Sequence, residues 1–498
     1  MLTTNLPELI PSIKEIITPF IPLVGGADAK RTGRLINNDT ITPFKIAENV
    51  EIKHEFIKDG GAFKSVIFIN GKKYLNQNEI ESGLNEIAYK RMLKRHIRLS
   101  FYKALSKHFN VNLPYGALTG IRPSKLWRDI ISEGKDPYDT FVNEFYVNKN
   151  KAEIIADVIE NQKNVYKIND KDFDFYIGIP FCPSKCRYCS FVSAEINKCA
   201  GVAEYVDCLV SEIKEAKKII FGSGSSAAKS VYIGGGTPTC LDNKLLIKVL
   251  ETVGNITCEY TVEAGRAETI NEENLKILKG YNVSRICINP QTFNQNILES
   301  IGRGGVSASG GVSASGGVSA AGYIEEKFYL AKKYNFDINM DLIAGLPGQT
   351  TEDFLSDVRY LAEKLKPDNI TIHTLCLKSG SLMKHENDAL NAEDAEEKIS
   401  RASEILKSAA YGPYYLYRQK YAAANLENTG YCLENKQCVY NIDVMEEITN
   451  NLACGAGGIS KRLYSKENRI ERYASPKDIS TYINKINTII KEKSAFYM

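Results

Sequence analysis

Cys182-Pro183-Ser184-Lys185-Cys186-Arg187-Tyr188-Cys189 puts three thiols within eight residues, spaced C-x3-C-x2-C, just after the apolar run Tyr176-Ile-Gly-Ile-Pro180. Three, rather than four, is the informative count. Structural zinc closes on four ligands, usually two C-x2-C pairs. A cubane [4Fe–4S] cluster also normally takes four thiolates. A cube held by three leaves one iron open, and an open iron binds a small molecule directly. A zinc loop, or a set of buried thiols, is the competing reading, because short motifs carry false positives.

Working outward, from Phe173 strands and amphipathic helices alternate. Apolar strand candidates lie at 175–180, 230–233, 260–263, 285–289, 338–344 and 370–375. Tyr205, Leu209, Ile213 and Ile220 share one helix face. Phe354, Val358, Leu361 and Leu365 share another, after a Thr350-x-x-Asp353 capping box. Six such units predict an α/β fold with a parallel sheet curled into a partial barrel, whose ligands sit at the carboxyl ends of the strands.

Polar residues recur at those strand ends. The cysteine loop follows the first strand. Gly234-Gly235-Gly236-Thr237-Pro238-Thr239 follows the second, and its glycines let backbone approach a ligand and offer carbonyls to an ammonium group. Glu263 closes the third, in Val262-Glu-Ala-Gly-Arg266. Asn289-Pro-Gln291 follows the fourth, then Arg303. Asp341, in Asn339-Met-Asp-Leu-Ile-Ala-Gly-Leu-Pro-Gly348, suits a ribose hydroxyl. Taken singly, each is an ordinary structural hydrogen-bonder. Their recurrence at successive strand ends favours a shared site.

The barrel pattern is predicted over residues 171–390. Residues 1–170 read as a separate α+β domain of unknown role, with strands near 50–56 and 64–69 and a helix over 84–109. Arg122, in its Gly- and Pro-punctuated loop, is either a carboxylate ligand or an ordinary loop arginine. Residues 304–321 are three copies of a hexapeptide, GGVSAS, GGVSAS and GGVSAA, read as a flexible insertion before a helix starting near Tyr323. Residues 391–498, rich in aromatics and amides at 413–431, read as a smaller C-terminal domain covering the barrel opening. Cys432, Cys438 and Cys454, with irregular spacing and no nearby histidine, read as free thiols.

Bulk composition sets limits. The chain has 498 residues, 43% hydrophobic and 25% charged, and 63 basic against 60 acidic side chains. That balance gives no push toward nucleic acid. No apolar stretch reaches the ~18 residues of a bilayer span. The apolar N-terminus is cut by Pro7, Pro11, Pro19 and Pro22, unlike a signal peptide. Twelve cysteines without an export signal fit a reducing cytoplasm.

The stretches Tyr176-Ile-x-Ile-Pro-Phe-Cys182, GGGTPT, Val-Glu, Asn-Pro-Gln-Thr-Phe, Ile-Gly-Arg and Asp-Leu-Ile-x-Gly-Leu-Pro-Gly together resemble a radical S-adenosylmethionine (SAM) family, the oxygen-independent coproporphyrinogen III oxidases (dehydrogenases). The match runs from 173 to about 460. The N-terminal domain, Thr-Gly-Ile-Arg-Pro123, Tyr-Arg-Gln-Lys420 and Asn-Leu-Glu-Asn428 are similar to the branch called HemZ. The resemblance implies a (β/α)6 barrel. It implies that Cys182, Cys186 and Cys189 bind a [4Fe–4S] cluster whose open iron chelates SAM. It assigns SAM contacts to Tyr176, Tyr188, Gly235, Gly236, Thr237, Glu263, Gln291, Arg303 and Asp341, and no catalytic side chain beyond the cofactors.

The implied reaction turns two propionates of coproporphyrinogen III into vinyl groups. A radical made from SAM removes a hydrogen, then CO2 and an electron leave. A tetracarboxylate substrate calls for cations, and Arg122, Arg266, Arg418 and Lys420 are the candidates, each otherwise a surface charge. The resemblance also implies a cytoplasmic monomer reduced by a flavodoxin or ferredoxin, with no nucleic acid or membrane partner. Two alternatives share the scaffold: a haem-binding chaperone or carrier, and a radical SAM enzyme acting on another tetrapyrrole. One departure falls beside Arg303, where the hexapeptide array replaces the family's His-Thr pair. His373 is read as a packed barrel histidine.

Overall fold

In a computed structural model, residues 2–20, 50–222, 227–254, 259–303, 319–378, 380–385, 392–419 and 426–498 are described. Residues 304–318 of the hexapeptide array, expected to be flexible over 304–321, and Lys420 lie outside them, whereas residues 319–321 cap and begin a helix. The chain packs as two units: Met1–Ala156 with Ala424–Leu426, and Asp157–Ala423 with Glu427–Met498.

In the first unit β1 (Leu2–Thr4) lies parallel to β2 (Ile52–Asp59), and β3 (Ala62–Ile69) and β4 (Lys72–Glu79) continue an antiparallel meander. The β3–β4 turn is Asn70-Gly71, both at positive φ (48° and 82°), the geometry a tight hairpin needs. The helix Glu86–Phe109 covers one face of the sheet. It is capped at its start by Asn85, whose side chain accepts from the Ala88 N–H, and at its end by left-handed Asn110. Between helix and sheet runs a buried polar chain. Thr4 Oγ1 meets His54 Nδ1 at 2.9 Å, and Ser65 Oγ joins His54 Nε2 to His96 Nε2, each at 3.1 Å.

In the second unit six strands run parallel in the order β5-β8-β9-β10-β11-β12: β5 (Phe173–Ile179), then β8 (Ser230–Gly235), β9 (Glu259–Gly265), β10 (Arg285–Ile288), β11 (Asp337–Ala344) and β12 (Asn369–Thr374). The two short strands β6 (Phe181–Cys182) and β7 (Ala194–Glu195) frame the cysteine loop. Helices including Val202–Gly222, Asn243–Val253, Glu272–Gly280 and Thr351–Arg359 fill the crossovers. Thr350 and Asp353 form the expected capping box. Ser319, from the last hexapeptide copy, accepts from the Gly322 N–H and starts the helix Ala320–Lys332 three residues before Tyr323, since serine is a preferred N-cap.

The domain boundaries differ from expectation in two places. Residues 157–170 pack with the barrel: Asn161 Nδ2 donates to Pro413 O at 2.8 Å and Gln162 Nε2 to Tyr414 O at 2.9 Å. The change of pattern at Phe173 marks where strands begin, not where packing begins. Residues 391–498, expected as a separate domain, extend the same sheet. β13 (Gly412–Arg418) and β14 (Glu427–Cys432) add antiparallel strands beyond β12. β15 (Asn450–Cys454) pairs parallel to β5, followed by β16 (Ile459–Tyr464) and β17 (Arg469–Ala474). A six-stranded parallel sheet leaves two edges of unpaired N–H and C=O groups, and these strands satisfy them. Glu212 and Lys493, 1% and 2% exposed as side chains, form a buried ion pair that ties the C-terminal helix Ile486–Tyr497 to Val202–Gly222. No described helix is long and apolar enough to cross a membrane.

Candidate active site

Alternation along each strand aims every second side chain inward. Thr261, Glu263 and Gly265 of β9, Arg285 and Cys287 of β10, Asn339, Asp341 and Ile343 of β11, and Thr371 and His373 of β12 line one cavity of about 290 Å³. That is just below the roughly 300–1,000 Å³ of ligand pockets. Cys182, Cys186, Tyr188, Cys189, Gly235, Gly236, Thr237, Arg266, Gln291 and Arg303 line it too. A larger hollow of about 610 Å³, beside Glu363, Lys366 and Glu404, contains none of the residues expected to be functional.

The glycine turn is stitched to the cysteine loop. Gly236 N–H donates to Ile179 O at 2.8 Å and Thr237 N–H to Phe181 O at 2.7 Å. A Cβ on Gly236 would overlap the Phe181 backbone, so only glycine permits this approach. A Cβ on Gly234 would meet the Glu263 carboxyl.

Two guanidinium groups converge on Cys186. Arg266 Nη1 lies 3.2 Å and Arg303 Nε 3.4 Å from its sulfur. Burial pushes the Cys186 thiol up, but the two arginine charges outweigh burial and leave it below the usual thiol range. Cys182, hydrogen-bonded by Thr237 Oγ1 at 3.6 Å, is raised by burial, and Cys189 is pushed up to about 11 by burial.

Glu263 accepts from Tyr232 OH at 2.6 Å and from the Gly235 N–H at 3.2 Å. Burial dominates and pushes its carboxyl up to about 7, with the nearby Asp341 charge adding to the rise. Asp341 goes the other way. Burial raises it, but His373, 3.6 Å away, and Asn339 Nδ2, donating at 2.8 Å, outweigh burial and hold it below the usual carboxylate range. Gln291 sits at φ +68°, a left-handed conformation rare for a side-chain-bearing residue, fixed by a bridge to Leu342. Its Oε1, and Oδ1 of Asn289, are buried without a partner among the described residues.

Three expected residues, Tyr176, Arg418 and Arg122, do not line the cavity, and a fourth, Arg266, lines it but is already engaged. Tyr176 stacks on Tyr232 and Tyr440, each with ring centroids 6.3 Å apart. Arg266 is bound to Glu268 at 2.5 Å and to Ser184 Oγ at 3.1 Å, so its charge serves the cysteine loop rather than a substrate carboxylate. Arg418 alternates away from the cavity-lining Tyr417 on β13 and is paired opposite Glu427. Arg122 belongs to the first unit, at the start of the helix Pro123–Ser132. Conversely, Tyr232, Asn339, His373, Tyr415, Tyr417 and Asn428 line the cavity and were not picked as ligands. Period-two placement from Glu263 and Asp341 would have found Asn339. The residues on β13 and β14 had no such signal.

A family model, the radical SAM superfamily, matches residues 176–361. The oxygen-independent coproporphyrinogen-III oxidase-like protein HemZ of Bacillus subtilis (strain 168) is 32% identical over 428 residues, 81% of each chain. The chain belongs to the radical SAM family of oxygen-independent coproporphyrinogen-III oxidase-like proteins. The heme chaperone HemW of Buchnera aphidicola subsp. Acyrthosiphon pisum is 25% identical over 332 residues, 64% of this chain and 80% of that one. A solved structure of coproporphyrinogen III oxidase (HemN) from Escherichia coli aligns with a TM-score of 0.49 and 17% identity, over 68% of this chain and 72% of that one.

Radical SAM proteins use a [4Fe–4S] cluster and SAM. The residues present fit both by their chemistry: three sulfurs of one loop around one cavity, a glycine cradle that a Cβ would fill, and orphaned acceptors at Gln291 and Asn289. Among the described residues the three sulfurs are not drawn to metal-ligand spacing.

Proposed function

We propose that this chain decarboxylates coproporphyrinogen III propionates to vinyl groups, giving protoporphyrinogen IX. The observation that carries the reading is one cavity joining the cysteine loop and the strand-end polar residues to a wall of stacked tyrosines, Tyr415 and Tyr417, whose planes differ by 8°. Aromatic walls suit a pyrrole substrate. One propionate arm enters the cavity while the macrocycle stays at the mouth, near exposed Phe191 and Lys378.

When bound, the cluster at Cys182, Cys186 and Cys189 together with SAM supplies a carbon-centred radical. The protein's own work is positioning and exclusion of water. Gly235 and Gly236 offer backbone to the SAM amino-acid end. Glu263 would take the SAM ammonium as a carboxylate, giving up its proton to do so. Asp341 and Gln291 hold the ribose, and Arg303 holds the loop and the carboxylate end together. Each propionate loses one hydrogen atom, CO2 and one electron, the electron passing to a one-electron acceptor. A flavodoxin or ferredoxin would supply the reducing electron, and the protein would work as a cytoplasmic monomer without nucleic acid.

HemZ matches over 81% of this chain, whereas the HemW match quoted above covers 64%, which supports a role specific to the longer architecture. The test is anaerobic incubation of the reconstituted protein with SAM, a reductant and coproporphyrinogen III. Protoporphyrinogen with stoichiometric CO2 is expected. Tight haem binding without turnover would replace this reading with a carrier, and ring-opened product from haem would replace it with another tetrapyrrole reaction.

A further inference from the structure

Three adjacent strands carry Tyr417 (β13), Asn428 (β14) and His373 (β12) in one cross-strand row. Tyr417 is the register partner of Asn428. Thr371 pairs with Gly430 and Ile372 with Thr429, so the next step sets His373 opposite Asn428. Residues directly opposite in antiparallel strands share a face. The row two residues along identifies that face. Tyr415 lies across β14 at Gly430, where a Cβ would collide with its ring, and its hydroxyl reaches Thr371 Oγ1 at 3.4 Å. Thr371, His373, Tyr415, Tyr417 and Asn428 all line the cavity, so the Asn428 side chain faces into it.

The orientation of the carboxamide is determined by a donor. Thr374 N–H points at it from 2.8 Å and must meet the oxygen, so Nδ2 takes the other side. Asn428 is 1% exposed and this Nδ2 has no partner among the described residues. A buried donor left unmade is costly, and one aimed into a cavity calls for an acceptor on the ligand. The neighbouring Tyr417 hydroxyl already accepts from Gln419 Nε2 at 3.4 Å.

Charge identifies the kind of acceptor. Of the cations lining the cavity, Arg266 is bound to Glu268, Arg285 to Glu259 at 2.6 Å, and Arg303 to Cys186 and Asn289 O. Lys378, at the mouth four residues beyond Thr374, is in no ion pair among the described residues.

We propose that Asn428, with His373 beside it and Lys378 at the mouth, forms a carboxylate subsite that takes a propionate of the substrate. This rests on the tetrapyrrole reading above and names where its acid groups bind, in place of the arginines expected. The carboxylate of SAM has the same chemistry, and the test separates the two sources.

The probe is coproporphyrin III, the stable oxidised form of the substrate, titrated by porphyrin fluorescence into the full, cluster-loaded chain. Its tetramethyl ester is the uncharged control, and SAM binding is read separately by equilibrium dialysis. N428L removes the donor. N428D keeps the oxygen that accepts from Thr374 and sets a negative charge where Nδ2 was, so it guards against a folding defect. Both are expected to raise the Kd for coproporphyrin III about tenfold or more, as loss of a hydrogen bond to a charged group does, with the ester, SAM affinity and iron content little changed. Unchanged porphyrin binding by N428D overturns the subsite, as does a loss of SAM affinity instead. Failure of the unsubstituted chain to bind coproporphyrin III removes the substrate reading and the subsite together, whereas an effect absent only in the variants removes the subsite alone.

Discussion

Replacing Glu263 with glutamine separates binding from stability. In the free protein its carboxyl titrates at about 7, against 4.5 ordinarily, because burial disfavours its charge. The folded chain therefore holds this proton between pH 4.5 and about 7 while the unfolded chain has lost it. Stability falls as pH rises through that window, by 2.5 pH units × ~1.36 kcal/mol, or about 3.4 kcal/mol. Because Glu263 faces a cavity that water enters, this figure is a ceiling. Glu263→Gln removes the penalty and is expected to raise stability at pH 8 by up to about 3 kcal/mol, with little change at pH 4.5.

The binding side has the opposite sign. If the ionised carboxylate takes the SAM ammonium, SAM affinity rises with pH up to about 7 and levels off above it. Between pH 5.5 and 7.5 the gain is about 25-fold for one proton released. Glu263→Gln is expected to lose both the affinity and its pH dependence. Urea unfolding and equilibrium dialysis with SAM, each run across pH on both proteins, read the two effects. A pH-independent SAM affinity in the unsubstituted protein, or a slope that survives in the variant, refutes the reasoning.

Further outcomes follow from the packing. Gly236→Ala forces a Cβ into the Phe181 backbone and is expected to cost about 1–3 kcal/mol, measured by urea unfolding, with SAM binding lost even where the fold survives. In the first unit, burial holds His54 and His96 down to about 4, with the Lys103 charge lowering His96 further. Both stay neutral when folded, but protonate below about 6.5 when unfolded. Their stability contribution is complete above pH 6.5 and falls as pH drops toward 4. Limited proteolysis across that range should cut the N-terminal unit first, and equal resistance of both units would contradict this. Lys493→Met strands the buried Glu212 carboxylate and is expected to cost about 3–5 kcal/mol by thermal unfolding.

Most of the barrel was legible because its signals are local. Each parallel strand is an apolar run, each crossover an amphipathic helix, and Thr350 and Asp353 are three residues apart. The site was legible where chemistry sits at a strand end: the cysteine loop, Gly236, Glu263, Gln291, Arg303 and Asp341 do share a cavity. What was hidden depends on long-range pairing. Nothing near residue 450 says that β15 will lie beside β5, nearly 280 residues earlier in the chain. β4, Lys-Lys-Tyr-Leu-Asn-Gln-Asn-Glu, is mostly exposed and too polar to read as a strand. Tyr415 enters the cavity because Gly430 lets its ring cross β14, and Asn428 because β14 pairs with β12. Arg266 looked like a substrate cation because sequence does not reveal that Glu268 and the cysteine loop occupy it.

The central claim is a cube of iron and sulfide with three protein anchors and one iron left for SAM. Mössbauer spectroscopy of the anaerobically reconstituted full chain, without and with SAM, tests it most directly. A [4Fe–4S] spectrum in which one iron site shifts when SAM is added is required, and Cys186→Ser should lose that spectrum. Zinc in place of iron, or four iron sites indifferent to SAM, would contradict it.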